Sequence, residues 1–304
     1  MACARITAFF FFTIQSCFAF DLLQIIDPPV QQKSNVRYST GLPHTESLNG
    51  NFTVYQTEEM NVSASTRLHW IDSWGTKEER SDLYSIQLGS GTSFQVGEDQ
   101  TAGVQVMFGS ASDKPFKDSS VNTLGITARY SFESYPLSKW IILLNYSNNR
   151  PFLNNIPIPG VVYSYHPKEH LRIIVGVPLA AIEWRISEHW HYSLLAFFPF
   201  SLKTTLGYRV LPFGQLLVGL DYAQQNYIEH GRSNPDERLF FRETRAFLGF
   251  RSPISRKIFA EIETGYSYNR LTFSAQGQWK DRVNETVLDP AWFGRLSLST
   301  SFDL

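Results

Sequence analysis

Cysteine is nearly missing from this chain of 304 residues: Cys3 and Cys17 are the whole complement. Beyond Cys17 there is no disulfide, thiolate ligand or cysteine nucleophile, although small secreted domains normally lean on disulfides. An excess of one charge is also missing. The formal net charge is −1, so no basic footprint points to nucleic acid. Long apolar runs are absent after the N-terminus, which excludes a bundle of membrane helices. No glycine-rich phosphate loop, nucleotide motif or internal repeat beyond a hairpin period appears.

Aromatic residues are abundant, with Phe 24, Tyr 14 and Trp 7. So is strict alternation. Over 292–304 every second residue is apolar, small or Thr: Trp292, Gly294, Leu296, Leu298, Thr300, Phe302 and Leu304. Arg295, Ser297, Ser299, Ser301 and Asp303 lie between them. A period of two marks a β-strand with one greasy and one wet face. The pattern recurs at Phe52/Val54, Val62/Leu68/Trp70, Tyr84/Leu88/Val96, Val104/Phe108, Leu124/Tyr130 and Trp140/Leu144. It continues at Val161/Tyr165, Leu171/Val177, Ile182/Ile186, Leu216/Tyr222, 240–250 and Ile258/Tyr268. One parity runs from Trp190 to Val210, about twice the 9–11 residues of a membrane-crossing strand, so the chain must fold back near Phe198-Pro199-Phe200-Ser201.

Arg5, the apolar stretch 6–14 and Cys17-Phe18-Ala19 form a secretory signal over residues 1–19. Ile14-Gln15-Ser16-Cys17 also loosely resembles a lipoprotein cleavage site, which Gln15 fits poorly. Residues 20–48 carry Pro28-Pro29 and little periodicity beyond a short strand at 36–39, and read as a periplasmic lead-in or partial plug. Residues 49–304 then form the strand domain.

An exported chain of amphipathic strands predicts an all-β, antiparallel transmembrane β-barrel of about 14 strands, within a range of about 12–16, in the cell outer membrane. A soluble sandwich gives the same alternation. Strand number, signal, the scarcity of cysteine and aromatic residues at strand ends favour the barrel. With the C-terminal strand ending in the periplasm, long polar links fall on the outer side at 72–81, 111–120, 148–158, 225–237 and 276–290. Short links fall on the inner side at 97–99, 134–137, 166–169, 187–188, 211–213 and 251–256. Short turns near Pro178 and Pro199 also fall outside; as bends they would merge two strand pairs.

Leu-Ser-Leu-Ser-Thr-Ser-Phe-Asp-Leu at the C-terminus resembles the signature that outer-membrane assembly machinery reads, carried here by Leu296, Leu298, Thr300, Phe302 and Leu304. The usual pattern ends on an aromatic residue, and here Phe302 sits two positions early. Ile156-Pro157-Ile158-Pro159-Gly160-Val161-Val162-Tyr163, Val175-Gly176-Val177-Pro178 and Glu263-Thr264-Gly265-Tyr266 resemble segments of a Gram-negative outer-membrane β-barrel family to which no activity is attached. The resemblance implies fold and location alone.

The wet parity is charged. Glu183, Arg185, Lys203, Arg209, Glu261 and Glu263 either line an aqueous lumen and set selectivity, or pair across a filled interior. Glu243 and Arg245 alternate with Arg242 and Thr244, which leaves that strand's orientation open. Loop 148–158, with Phe152 and Pro157, or 276–290 is the candidate constriction. His191 and Ser193 share a face near Glu183, a thin case for a hydrolase on a barrel. His166, His170, His189 and His191 flank neighbouring turns, a thin case for a metal. Four Asn-x-Ser/Thr triplets, at Asn51, Asn61, Asn145 and Asn284, match chance.

The expected function is a porin-like pore or transport channel for small solutes. The alternatives are a barrel acting through surface loops such as 225–237 (His230, Arg232, Asp236, Glu237, Arg238) or in envelope integrity, and a lipid-modifying enzyme. No enzyme activity, cofactor, metal or nucleic-acid partner is expected. The expected partners are outer-membrane lipid and the barrel assembly machinery, with a homo-oligomer left open. Leu296→Arg places a charge on the lipid face at a cost of about 2–4 kcal/mol at midplane. It should abolish the heat-modifiable gel mobility of the folded protein; a variant that keeps that mobility contradicts the assignment of the face.

Overall fold

The computed structural model describes residues 32–40, 44–57, 59–72, 82–211, 213–255, 258–277 and 281–302. The signal 1–19, most of link 72–81 and Leu304 lie outside the described residues. Among the described residues seventeen strands form one sheet. They are β1 (Gln32–Thr40), β2 (His44–Gln56), β3 (Met60–Asp72), β4 (Leu83–Gly97), β5 (Gln100–Ser112), β6 (Asn122–Tyr135), β7 (Ser138–Ser147) and β8 (Ile158–Lys168). Then come β9 (Leu171–Val177), β10 (Leu179–Arg185), β11 (Trp190–Phe197), β12 (Ser201–Leu211), β13 (Gly214–Tyr227), β14 (Arg238–Pro253) and β15 (Ile258–Ala275). The last two are β16 (Val283–Leu288) and β17 (Ala291–Phe302).

Every pairing between these strands is antiparallel, and from β1 to β15 each strand pairs with the next. β17 pairs with β15 on one side and with β1 on the other, while the short β16 adds to β15 beyond that contact. Each strand except β16 therefore has a hydrogen-bonded neighbour on both sides.

Among the described residues sixteen strands, β1–β15 and β17, are paired on both sides, within the expected range of 12–16 and above the figure of about 14 for two reasons. Residues 20–48 hold β1 and the start of β2, where polar residues such as Lys33, Asn35 and Arg37 dilute the alternation in the sequence. The chain turns at Pro178 and at Phe198-Pro199-Phe200, so the two proline sites separate strands instead of bending them. Link 276–290 also contains β16, which pairs on one side only. The fold-back inside the long parity 190–210 falls where the strand-length argument puts it.

Burial is inverted relative to a water-soluble domain. Leu88, Ile142, Val175, Val218, Leu248 and Ile262 are exposed on one parity, with Leu248 63 % exposed. Arg67, Lys203, Asp221, Arg245, Glu263 and Arg295 are buried on the other. Charged groups leave water only when paired or hydrogen-bonded, so the buried face has to supply partners. It also supplies aromatic shelves. Thr205, Gly219, Phe247, Gly265 and Phe293 form one register row across β12–β15 and β17. A Cβ on Gly219 would sit 2.5 Å from Phe247 Cζ, and one on Gly265 would sit 2.1 Å from the Ala246 carbonyl oxygen. At 219 only glycine leaves room for the Phe247 ring, and at 265 a side chain would meet the β14 backbone. Phe247→Ala is expected to lower stability by about 3–5 kcal/mol, the usual range for a buried Phe, read from urea unfolding; a loss under about 1 kcal/mol contradicts the row.

Candidate functional site

The buried face of β10–β17 gathers most of the charged candidates. Glu263 accepts from Arg295 Nη1 at 2.7 Å, and both side chains are 1 % exposed. Glu243 pairs with Arg245 and accepts from Ser267 Oγ at 2.9 Å. Glu261 meets Arg251 at 3.9 Å, and Glu183 meets Arg172 at 3.9 Å. Lys203 Nζ lies 5.3 Å from the Phe247 ring centre, and the Arg245 and Arg295 guanidiniums lie 5.3 and 5.5 Å from that of Phe293. Cations over ring faces are attracted by the ring quadrupole, more strongly away from water. Arg185 and Arg209 sit near the short turns and are exposed.

Glu183, Glu261 and Glu263 are thus each paired with an arginine outside the sequence-derived set. Those partners, Arg172, Arg251 and Arg295, lie on neighbouring strands, and register alone determines which residue faces which. Burial settles the open orientation of β14: it alternates from 242 to 247, with Glu243, Arg245 and Phe247 buried and Arg242, Thr244 and Ala246 half-buried. The register shift between Arg242 and Thr244 in the β14–β15 ladder puts its extra residue on β15. Arg242 donates to Gln224 Oε1 at 2.7 and 3.0 Å.

The long links dock on one another at one end of the sheet. His230 Nε2 lies 3.0 Å from Asp118 Oδ2, and the His230 N–H donates to Asp113 at 2.7 Å. Arg232 donates to the Ser120 carbonyl at 2.9 Å. Hydrogen bonds from Ser120, and then the nearby His230, hold the Asp118 carboxyl below the usual carboxylate range, so it remains an anion into mildly acidic conditions. Link 148–158 joins the same assembly. Arg238 donates to the Asn148 carbonyl at 2.9 Å, and Asn226 Nδ2 donates to Asn149 at 2.8 Å. Within the link, Arg150 is buried and donates to the Ile156 and Asn145 carbonyls. Burial pushes its pKa down to about 10, which leaves it charged at neutral pH. Strands distant in pairing order also touch here: Ser112 bridges Ile228, and His69 Nδ1 lies 3.0 Å from Tyr227 Oη.

A cavity of about 100 Å³ lies on the buried face below these links. Ser85, Gln87 and Thr127 line it on one side, and Phe197, Phe200 and Pro151 on another. The sequence reading missed this site. The apolar cluster that meets it at Phe197 and Phe200 did leave a signal, the doubled apolar residues of β7–β11 such as Ile141-Ile142, Val161-Val162 and Leu194-Leu195, which break alternation because both faces there are apolar.

The His191 ring meets Gln215 Nε2 at 3.0 Å, and Ser193 lies opposite Glu183 across the β10–β11 ladder. Glu183 also lies 3.9 Å from Arg172. Among the described residues no three His, Cys, Asp or Glu side chains converge as a metal site. In the C-terminal signature Leu296 and Leu298 are exposed, and Thr300 and Phe302 pair through their backbones with Ser34 and Gln32.

No protein-family model and no curated protein matches the chain. Solved structures to which it is similar are outer-membrane β-barrel channels and porins. The CymD monoaromatic hydrocarbon channel is 11 % identical with a TM-score of 0.43, over 92 % of this chain and 93 % of that one. The KdgM porin is 8 % identical with a TM-score of 0.33, over 89 % and 99 %. CdiB from Acinetobacter baumannii is 11 % identical with a TM-score of 0.45, over 89 % and 60 %.

Removing one member of a buried ion pair strands the other. Arg295→Leu should cost about 3–5 kcal/mol, and Glu263→Leu with Arg295→Leu should recover most of that. Urea midpoints check it, and a double variant as unstable as the single one contradicts the pairing account.

Proposed function

We propose that the chain is a closed β-barrel of the Gram-negative outer membrane that passes small solutes through a narrow interior. One observation carries this reading: the sheet buries its charges and exposes its aliphatic side chains. Hydrocarbon around the sheet and a polar interior account for that partition, whereas a soluble sandwich would reverse it. Two-sided pairing of the staves supports closure, since an edge left open in lipid would strand backbone donors and acceptors. Long links at one end and short turns at the other support the orientation, with the docked links outside.

In this reading Glu183, Arg185, Lys203, Arg209, Glu261 and Glu263 face the lumen. The pairing of Glu183, Glu261 and Glu263 favours a narrow, charge-compensated interior over a wide one. Residues 1–19 act as the export signal, and the barrel begins by β1, which leaves a lead-in no longer than 20–31. Residues 296–304 address the assembly machinery.

The outer links close the mouth through contacts between 113–121 and 226–238. Passage then depends on their separation, and the His230–Asp118 pair is one of the contacts to be broken. In planar bilayers the wild-type protein should give small, brief conductance steps. Asp118→Asn and His230→Ala should each raise the open fraction several-fold. No current from the wild type or either variant, across many insertions, contradicts passage and leaves a barrel that works through its outer surface.

A further inference from the structure

The rim of the sheet is low over β9–β12. β9 and β10 have 7 residues each and β11 has 8, fewer than the about 9–11 that cross a bilayer. Next to them the wall rises. Ser201, the first residue of β12, pairs with Ala223, and β13 continues to Tyr227.

The two turns at this dip are suited to hydrocarbon. Val177 is 72 % exposed and Phe198 is 77 % exposed, both apolar. Pro178 and Pro199 bring no backbone N–H to satisfy. The Phe198 N–H donates to the Pro178 carbonyl at 3.0 Å, and the Phe200 N–H donates to the Phe197 carbonyl at 2.8 Å. Polar turns would be expected if this rim stood in water.

Behind the dip the buried face is apolar instead of charged. Leu143, Val162, Ile174, Leu195, Phe197 and Phe200 form one cluster. From link 148–158, Phe152 stacks on Phe200 with ring centres 5.2 Å apart. The cavity begins at this stack, since Phe197, Phe200 and Pro151 line it. Its other wall offers amides and hydroxyls. Ser85 Oγ is buried with no hydrogen-bond partner among the described residues, and an unmet buried hydroxyl gains by meeting a ligand's polar atom. No carboxylate lines the cavity, and its one cation, Arg67, donates to Gln87 at 3.2 Å.

We infer that the dip over β9–β12 is a lateral portal between the outer leaflet and this cavity, gated by Phe152, for small uncharged amphiphiles with an apolar body and one hydrogen-bonding head. The inference rests on the outer-membrane reading and deepens it by naming a solute class and a route. Size limits the occupant. The cavity holds about 100 Å³, less than the ~150 Å³ void that admits benzene in another protein, so a single ring seats only when Phe152 swings off Phe200 and adds its own space, and one ring or a short chain is the upper bound. The aromatic end would lie against Phe197 and Phe200, with the head toward Ser85 and Gln87.

The test uses the full chain with Cys3 and Cys17 changed to Ser and Ser85→Cys as the reporter, folded into phosphatidylcholine vesicles. N-ethylmaleimide, which is uncharged and enters lipid, should label Cys at this position at least tenfold faster than a trimethylammonium thiosulfonate. Benzyl alcohol should slow that labelling. Adding Phe152→Ala should speed it several-fold while leaving the charged reagent's rate unchanged. Equal rates for the two reagents, a faster charged reagent, or no labelling of folded protein that labels fully once denatured would each overturn the portal. Protein that never enters the vesicles would instead overturn the outer-membrane reading itself, so the two failures are distinguishable.

Discussion

In the proposed outer-membrane reading, pairing of backbone groups on both sides of each spanning strand is the constraint on which the rest depends. Hydrocarbon offers no partner to an N–H or C=O, and each unmet group costs several kcal/mol. β17 meets this constraint by pairing with β1 as well as β15, which makes the N-terminal strand as necessary as the C-terminal one. Once edges are paired, parity assigns every side chain to one of two environments. The exposed parity of Val218, Leu248 and Ile262 suits lipid, and the buried parity has to neutralise itself.

It does so locally. Glu263 and Arg295 are partners across the ladder, Glu243 and Arg245 share one face of β14, and Phe247 and Phe293 give nearby cations a ring face. Glycine at 219 leaves room for the Phe247 ring, so the register row and the charge cluster form one packed layer. Toward one end of β7–β11 the same parity carries Leu143, Val162 and Ile174 instead, while Arg172 and Glu183 keep it charged toward the other. The buried face therefore has a charged part and an apolar part. The apolar part coincides with the lowest part of the wall, where the turns themselves are apolar.

Much of this was legible in the residues. The period-two pattern from Trp292 onward, the fold-back after Phe197 and the contrast of long and short links follow from strand geometry and survive in the structure. Of the wet-parity charges, Lys203 and Glu263 are buried while Arg185 and Arg209 are exposed, and the partners of these charges were not legible. Pairing Glu263 with Arg295 requires the register between β15 and β17, and alternation is blind to register. β1 escaped because a strand rich in Ser, Asn and Lys carries a weak apolar signal. The cavity escaped because its lining comes from strands far apart in sequence, and because link 148–158 reaches it through tertiary contacts that a sequence pattern does not record.

The central claim is that the Val218 parity faces lipid while its neighbours do not. Nitroxide labels placed one at a time from position 216 to 220, in vesicle-embedded protein with Cys3 and Cys17 changed to Ser, test it directly. The account predicts that oxygen collision rates peak at 216, 218 and 220 and fall at 217 and 219. A flat profile, or peaks for a water-soluble nickel reagent at 216, 218 and 220, would contradict it.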